Sequence, residues 1–189
     1  MGGAAAWSAF VRARSVPPEI PVDTSPQAVR RAEEAVETAA QTVRAAARAA
    51  DTAASGPRRY RVRLRQDDLN TLVRTDERAR RVLAEHGIER PRLEIVNGQL
   101  KAGGVVSYHG QRVYVSAAGP VEPLPGGRIR FRPEQVWIGQ LRAPAAFTRE
   151  IARRIAEASE RGDLRLPGQI ESLRLQDGAL VLDGVTPAP

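Results

Sequence analysis

Two dipeptides limit what this chain can become. Asn97-Gly98 and Asp177-Gly178 each sit between short runs in which apolar and polar residues alternate. An Asx-Gly pair supplies the two positive-φ positions of a two-residue hairpin turn, and such a turn can only join antiparallel strands. Leu93-Glu-Ile95-Val96 with Leu100 to Ser107, and Ile170 to Leu175 with Leu180-Val-Leu182, are therefore expected as antiparallel pairs. His109-Gly110 reads as a third tight turn, leading into a strand from Arg112 to Ala118.

The remaining pattern is mixed. Tyr60-Arg-Val62-Arg-Leu64-Arg65 alternates with period two, the mark of a strand buried on one face. Gln66-Asp67-Asp68 then offers capping groups to a short helix carrying Leu69, Leu72 and Val73 at helical spacing. A second helical stretch carries Ala79, Val82 and Leu83 and ends at Gly87. Gly119 to Gly127 reads as a proline and glycine loop, followed by a strand from Arg128 to Ile138 interrupted at Pro133. Pro144 to Glu160 is an amphipathic helix with Phe147, Ile151, Ile155 and Ala158 on one face. Strand, helix, meander, helix, hairpin is the order of an antiparallel α+β fold.

Three regions are expected. Residues 1–25 join an apolar run, Gly2 to Val11, to arginines at 12 and 14 and then to a stretch with four prolines between Ser15 and Pro26. This reads as the distal end of a signal anchor followed by an extended stalk; a frayed terminus is the plainer alternative. Residues 26–56 repeat Val29, Ala32, Val36, Ala39, Val43, Ala46 and Ala50 at spacings of three and four, a long Ala-rich helix with a narrow apolar stripe. That stripe suits packing on its own domain or pairing with another chain. Gly56-Pro57 stops the helix, and residues 57–189 form the main α+β domain.

Charge and chemistry narrow the function. The net charge is +7 and falls after residue 56, because the first 56 residues hold six arginines and six acidic residues. Lys101 is the single lysine among 29 basic residues, which fits an arginine bias as well as anion binding by guanidinium forks. With no cysteine, disulfides, thiolate metal sites and cysteine nucleophiles are excluded. His86 and His109 have no zinc-like spacing and suit a helix end and a turn. Glu33-Glu34 and Asp67-Asp68 suit a helix's polar face and a helix cap. Gly103-Gly104 and Gly126-Gly127 lack the offsets of a phosphate loop. Arginine rows at 59, 61, 63, 65 and at 128, 130, 132 could hold phosphate, although any half-buried strand shows period-two charge. Nucleic acid is not expected as a partner, because exposed stacking aromatics do not accompany the arginines.

Taken together, Arg65-Gln-Asp-Asp-Leu69-Asn70-Thr-Leu72 after a strand, Asn97-Gly98-Gln-Leu100, Asp177-Gly178-Ala-Leu180, and Val136-Trp-Ile-Gly139-Gln-Leu141 before Pro144 resemble a known group. They are similar to the bacterial single-repeat branch of the tubular lipid-binding (TULIP) superfamily, mostly membrane-anchored proteins of unassigned role. The resemblance covers residues 58 to 185. It implies a long curved antiparallel sheet wrapped around a helix, preceded here by a separate long Ala-rich helix, with an apolar groove for a lipid or fatty acyl chain. It also implies a cell-envelope, extracytoplasmic location at a membrane surface, anchored by an N-terminal segment mostly outside this chain. The groove candidates are Leu69, Leu72, Leu93, Ile95, Val113, Val115, Phe131, Ile138, Phe147, Ile151 and Ile155. Anionic headgroups would meet Arg61, Arg63, Arg65, Arg128, Arg130 and Arg132. Binding would be non-catalytic, with no cofactor and no metal. The same aliphatic residues also suit a filled core, in an envelope scaffold that uses the 26–54 helix for a protein partner or self-association.

Overall fold

The computed structural model describes residues 21–52, 58–108, 110–161 and 169–186. The segments expected as anchor and most of the stalk, the expected Gly56-Pro57 stop and His109 lie outside the described residues, as does the side chain of Ile155. The chain runs α1 (Pro26–Thr52), β1 (Arg59–Arg65), α2 (Gln66–Thr75), α3 (Glu77–Glu85), β2 (Ile88–Val96), β3 (Gln99–Tyr108), β4 (Gln111–Gly119), β5 (Val121–Leu124), β6 (Arg128–Phe131), β7 (Gln135–Ile138), β8 (Leu141–Arg142), α4 (Ala145–Arg161), β9 (Gln169–Gln176) and β10 (Ala179–Val185). The fold is α+β and every strand pair among the described residues is antiparallel, with the Asx-Gly turns joining β2 to β3 and β9 to β10 as expected. Asn97 and Gly98 take φ of 52° and 72°, and Asp177 and Gly178 take 51° and 64°. The strands fall into three ladders, β1-β10-β9, β2-β3-β4-β7-β8 and β5-β6.

The first core lies between α1 and the three-stranded ladder. Register places Tyr60, Val62 and Leu64 opposite Gly184, Leu182 and Leu180, so one face of this sheet is apolar. Val43, fully buried, packs there with Tyr60, Val62, Ile170 and Leu182, and Ala39 and Ala46 flank it. The alanines of α1 let its backbone approach closely, while Val43 fills volume. At its other end Ser25 accepts a hydrogen bond from the Ala28 amide at 3.2 Å, capping the helix. Arg31 meets the buried Asp68 of α2 at 3.5 Å, and the Thr71 hydroxyl donates to the Asp23 carbonyl at 3.0 Å. Helix α1 is thus seated on its own chain through Ala28, Ala32 and Val43, each 0% exposed, while Val36 remains 40% exposed.

A second core gathers Ala117, Val136 and Ala143, with Val115, Phe131, Ile138 and Ile151 packed against it. Strand β6 links the two: Ile129 packs on the first cluster and Phe131, two residues on and on the same face, packs on the second. Two expectations are corrected here. The proline and glycine stretch after Gly119 is not a loop throughout, since Val121–Leu124 forms β5 and pairs with β6. Pro123 is tolerated because this ladder has only two strands, so each is an edge. Nor is 128–138 one interrupted strand: β6 pairs with β5 whereas β7 pairs with β4, so Pro133 marks a change of sheet.

Candidate functional site

The five-stranded ladder carries a largely apolar face, bounded at one end by Gln111. Direct cross-strand partners share a face, and register aligns Leu93 with Ala102, Ala117 and Val136. On either side run Ile95, Leu100 and Gly119, then Gly104, Val115, Ile138 and Leu141, then Ile88, Val106 and Val113. Apart from the β2 bulge opposite Gly104, every position in these four rows is aliphatic or glycine. Yet Ile88, Leu93, Ile95, Leu100, Val106, Val115, Ile138 and Leu141 are only half-buried. Helix α4 covers one side through Ile151, while α2 and α3 stand along β2.

A bulge brings Ile88 onto this face. Between the pairs Glu89–Val105 and Arg92–Gly103, Arg90 and Pro91 oppose Gly104 alone, so parity changes across one extra residue. Without it Glu89 would share the side of Leu93. Arg90 takes φ of 50° there, a left-handed conformation uncommon for a residue with a side chain and costing about 1 kcal/mol or more. The backbone of Glu89 and the Ile88 side chain close directly over Gly104, where a Cβ would collide.

Helix α2 is fastened to the outer edge of β2 by its own side chains. Gln66 accepts from the Ile95 amide at 2.6 Å, Asn70 exchanges two bonds with Leu93 at 2.8 Å each, and Arg74 donates to the Pro91 carbonyl at 3.1 Å. Residues 66, 70 and 74 are four apart on one helix face, and 95, 93 and 91 are two apart on a strand edge, so the two periodicities match. The arrangement closes an edge that would otherwise expose unpaired backbone groups.

Beyond this clamp, α3 and the bulge enclose an open cleft of about 890 Å³, within the roughly 300–1,000 Å³ that ligand pockets span. Val73, Leu83, Ala84, Ile88 and Pro91 give it apolar walls, and Arg74, Arg80, Arg81 and Arg90 line it with Glu77 and Glu89. Glu77, Arg80, Arg81 and Ala84 follow helical spacing, so one face of α3 looks into the cleft. No residue of α3 is fully buried; Ala79 and Leu83 are half-buried and Val82 is 50% exposed.

The sequence-derived candidates separate into groups. Val115, Phe131, Ile138 and Ile151 meet around the second core. Leu93, Ile95 and the buried Val113 lie on the apolar sheet face. Leu69 and Leu72 occupy the α2 face that continues to Val73, and Phe147 is 36% exposed at the start of α4. None of the ten candidates with described side chains lines the cleft, which the sequence reading missed. A signal for it exists in Arg80-Arg81, set three and four residues after Glu77, and in Glu89-Arg90-Pro91.

The two arginine rows are not the open cationic surfaces their spacing suggests. Asp183 takes bonds from Arg61 at 2.5 Å, Arg174 at 2.5 Å and Ser172 at 3.0 Å. The Arg61 hydrogen bond above all holds the Asp183 carboxyl at about 2, below its ordinary 3.8, with Ser172 and Arg174 adding to it against the cost of desolvation. Arg130 and Arg132 both reach Glu122, at 3.1 and 3.0 Å, and Arg128 donates to the Pro125 carbonyl. Arg63 and Arg65 make no salt bridge among the described residues and stand exposed on β1. On the opposite face of the five-stranded sheet, Lys101 lies 5.5 Å from the Trp137 ring centroid. Beside it burial, then the charge of Glu94, pushes the Tyr114 hydroxyl up.

Among the described residues no helix is long and apolar enough to cross a membrane, and no group of three histidine or acidic side chains could hold a metal ion. Comparison of the chain with protein-family models, curated proteins and solved structures finds no match.

Proposed function

We propose that this chain binds a lipid or another hydrophobic ligand, without catalysis, on the apolar face of the five-stranded sheet. The observation that carries the reading is the contrast between composition and cover. Four rows of aliphatic and glycine positions lie on one side of β2, β3, β4, β7 and β8, most of their larger side chains are half-buried while Val113 and Val136 are buried, and the face meets an apolar-walled cleft at Ile88. Hydrocarbon laid on such a surface gains about 0.8 kcal/mol per buried methylene and needs no directional partner, which accounts for a site without a motif. Lipid transfer at the cell envelope belongs to the same reading and rests on the sequence motifs that resemble the TULIP superfamily.

The test is uptake of an uncharged fluorescent acyl lipid by the purified chain, with Ile88→Asp as the variant. Ile88 is half-buried on the cleft wall, so a carboxylate there puts charge on the hydrocarbon path. Uptake by the native chain and its loss in the variant, with an unchanged circular dichroism spectrum, support the reading. Absence of uptake by the native chain removes it.

A further inference from the structure

We infer that the cleft between α3 and the β2 bulge selects a single-chain fatty acid, gripping its carboxylate through Arg80 and Arg81 while the tail runs onto the apolar sheet face. The inference rests on the lipid-binding reading above and adds the headgroup class and the residues that choose it. Its basis is charge set beside apolar surface. Four arginines and two glutamates line a cleft whose remaining walls are apolar. Of the arginines, Arg74 is engaged by the Pro91 carbonyl, and of the glutamates, Glu89 is bound to Arg112 at 2.5 Å. Arg80 and Arg81 are exposed, look into the cleft from the α3 face, and make no salt bridge among the described residues. A guanidinium presents paired N–H donors that match a carboxylate. Glu77, one helical turn before them, tempers the cationic wall, which favours a single negative charge over the double charge of a phosphomonoester. The headgroup end is fixed by the bulge, which sets Ile88 at the junction of cleft and sheet.

The test compares palmitate with its uncharged methyl ester, binding to the full chain and to an Arg80→Ala/Arg81→Ala variant. Both residues are exposed, so their removal leaves the two cores intact; thermal melting checks this, and an Arg80→Gln/Arg81→Gln variant repeats the measurement with side-chain bulk retained. Palmitate should bind the native chain about tenfold more tightly than the ester, as a charge-assisted hydrogen bond allows, and rising salt should erode that margin. Both variants should lose the margin and keep ester binding. Equal binding of acid and ester by the native chain, or palmitate binding unchanged in the variants, overturns the inference and leaves lipid binding standing. Tighter binding of lysophosphatidate than of palmitate overturns the choice of carboxylate. If neither palmitate nor ester binds, the lipid-binding reading itself falls and this inference with it.

Discussion

The side-chain amide of Asn70 donates to the carbonyl of Leu93 and accepts from its amide, at 2.8 Å in both directions. Asn70 is 5% exposed, so these bonds are made where water cannot replace them. Asn70→Ala should therefore lower stability by about 2–3 kcal/mol, since it strands two backbone groups as well as losing the contact. Urea unfolding measures it, and a loss below about 0.5 kcal/mol, the usual effect of a surface change, contradicts the clamp.

Helix α1 should be inseparable from the rest of the chain. Val43→Ala empties a site that is 0% exposed against Tyr60, Val62 and Leu182, and about 2 kcal/mol of destabilisation is expected. A chain starting at residue 58 should lose cooperative thermal unfolding, because the apolar face of β1 and β10 would then meet water. A sharp unchanged transition would show that the helix is an appendage.

Asp183 should make stability depend on acid pH. Its folded value, about 2, lies below the ordinary 3.8 expected of the unfolded chain, so its contribution is fully present above the unfolded value and is lost as pH falls through the folded one. The side chain is 20% exposed, so solvent screening limits the effect to about 1 kcal/mol. Asp183→Asn should lower stability at pH 7 and flatten the loss between roughly pH 4 and 2. Equal acid sensitivity in both proteins would place the effect elsewhere.

Gly184 should accept no side chain. It pairs with Tyr60 across the ladder, and a Cβ there would run into the tyrosine ring and the Gln169 carbonyl; an aromatic ring lying over a strand glycine is a recurrent device of sheets. Gly184→Val should cost about 3 kcal/mol through overpacking, and Tyr60→Leu in the same chain should recover part of it. Recovery is read from paired melting curves, and strict additivity would contradict the contact.

Much of the architecture was legible because certain residues answer to local rules. Asn97-Gly98 and Asp177-Gly178 announce their turns through positive φ, and Tyr60 to Arg65 shows which side of β1 is buried. What escaped depends on register. Arg61 and Asp183 are 122 residues apart in the chain, and Arg130 faces Glu122 only once β5 exists, so the rows looked free. β5 was hidden by Pro123 and its neighbouring glycines, which are loop residues by preference. The bulge was equally silent, since arginine at position 90 gives no sign of a left-handed backbone. Of the site, the aliphatic candidates on the sheet face were readable from alternation, whereas the cleft was not, because its walls come from α2, α3 and β2 together.

Native mass spectrometry of the full chain, purified without detergent, probes the hydrocarbon-bearing face most directly. A population heavier than the polypeptide by the mass of an acyl compound is expected, released on organic extraction and diminished in Ile88→Asp. A single species at the polypeptide mass, unchanged after exposure to fatty acid and lipid vesicles, would contradict it.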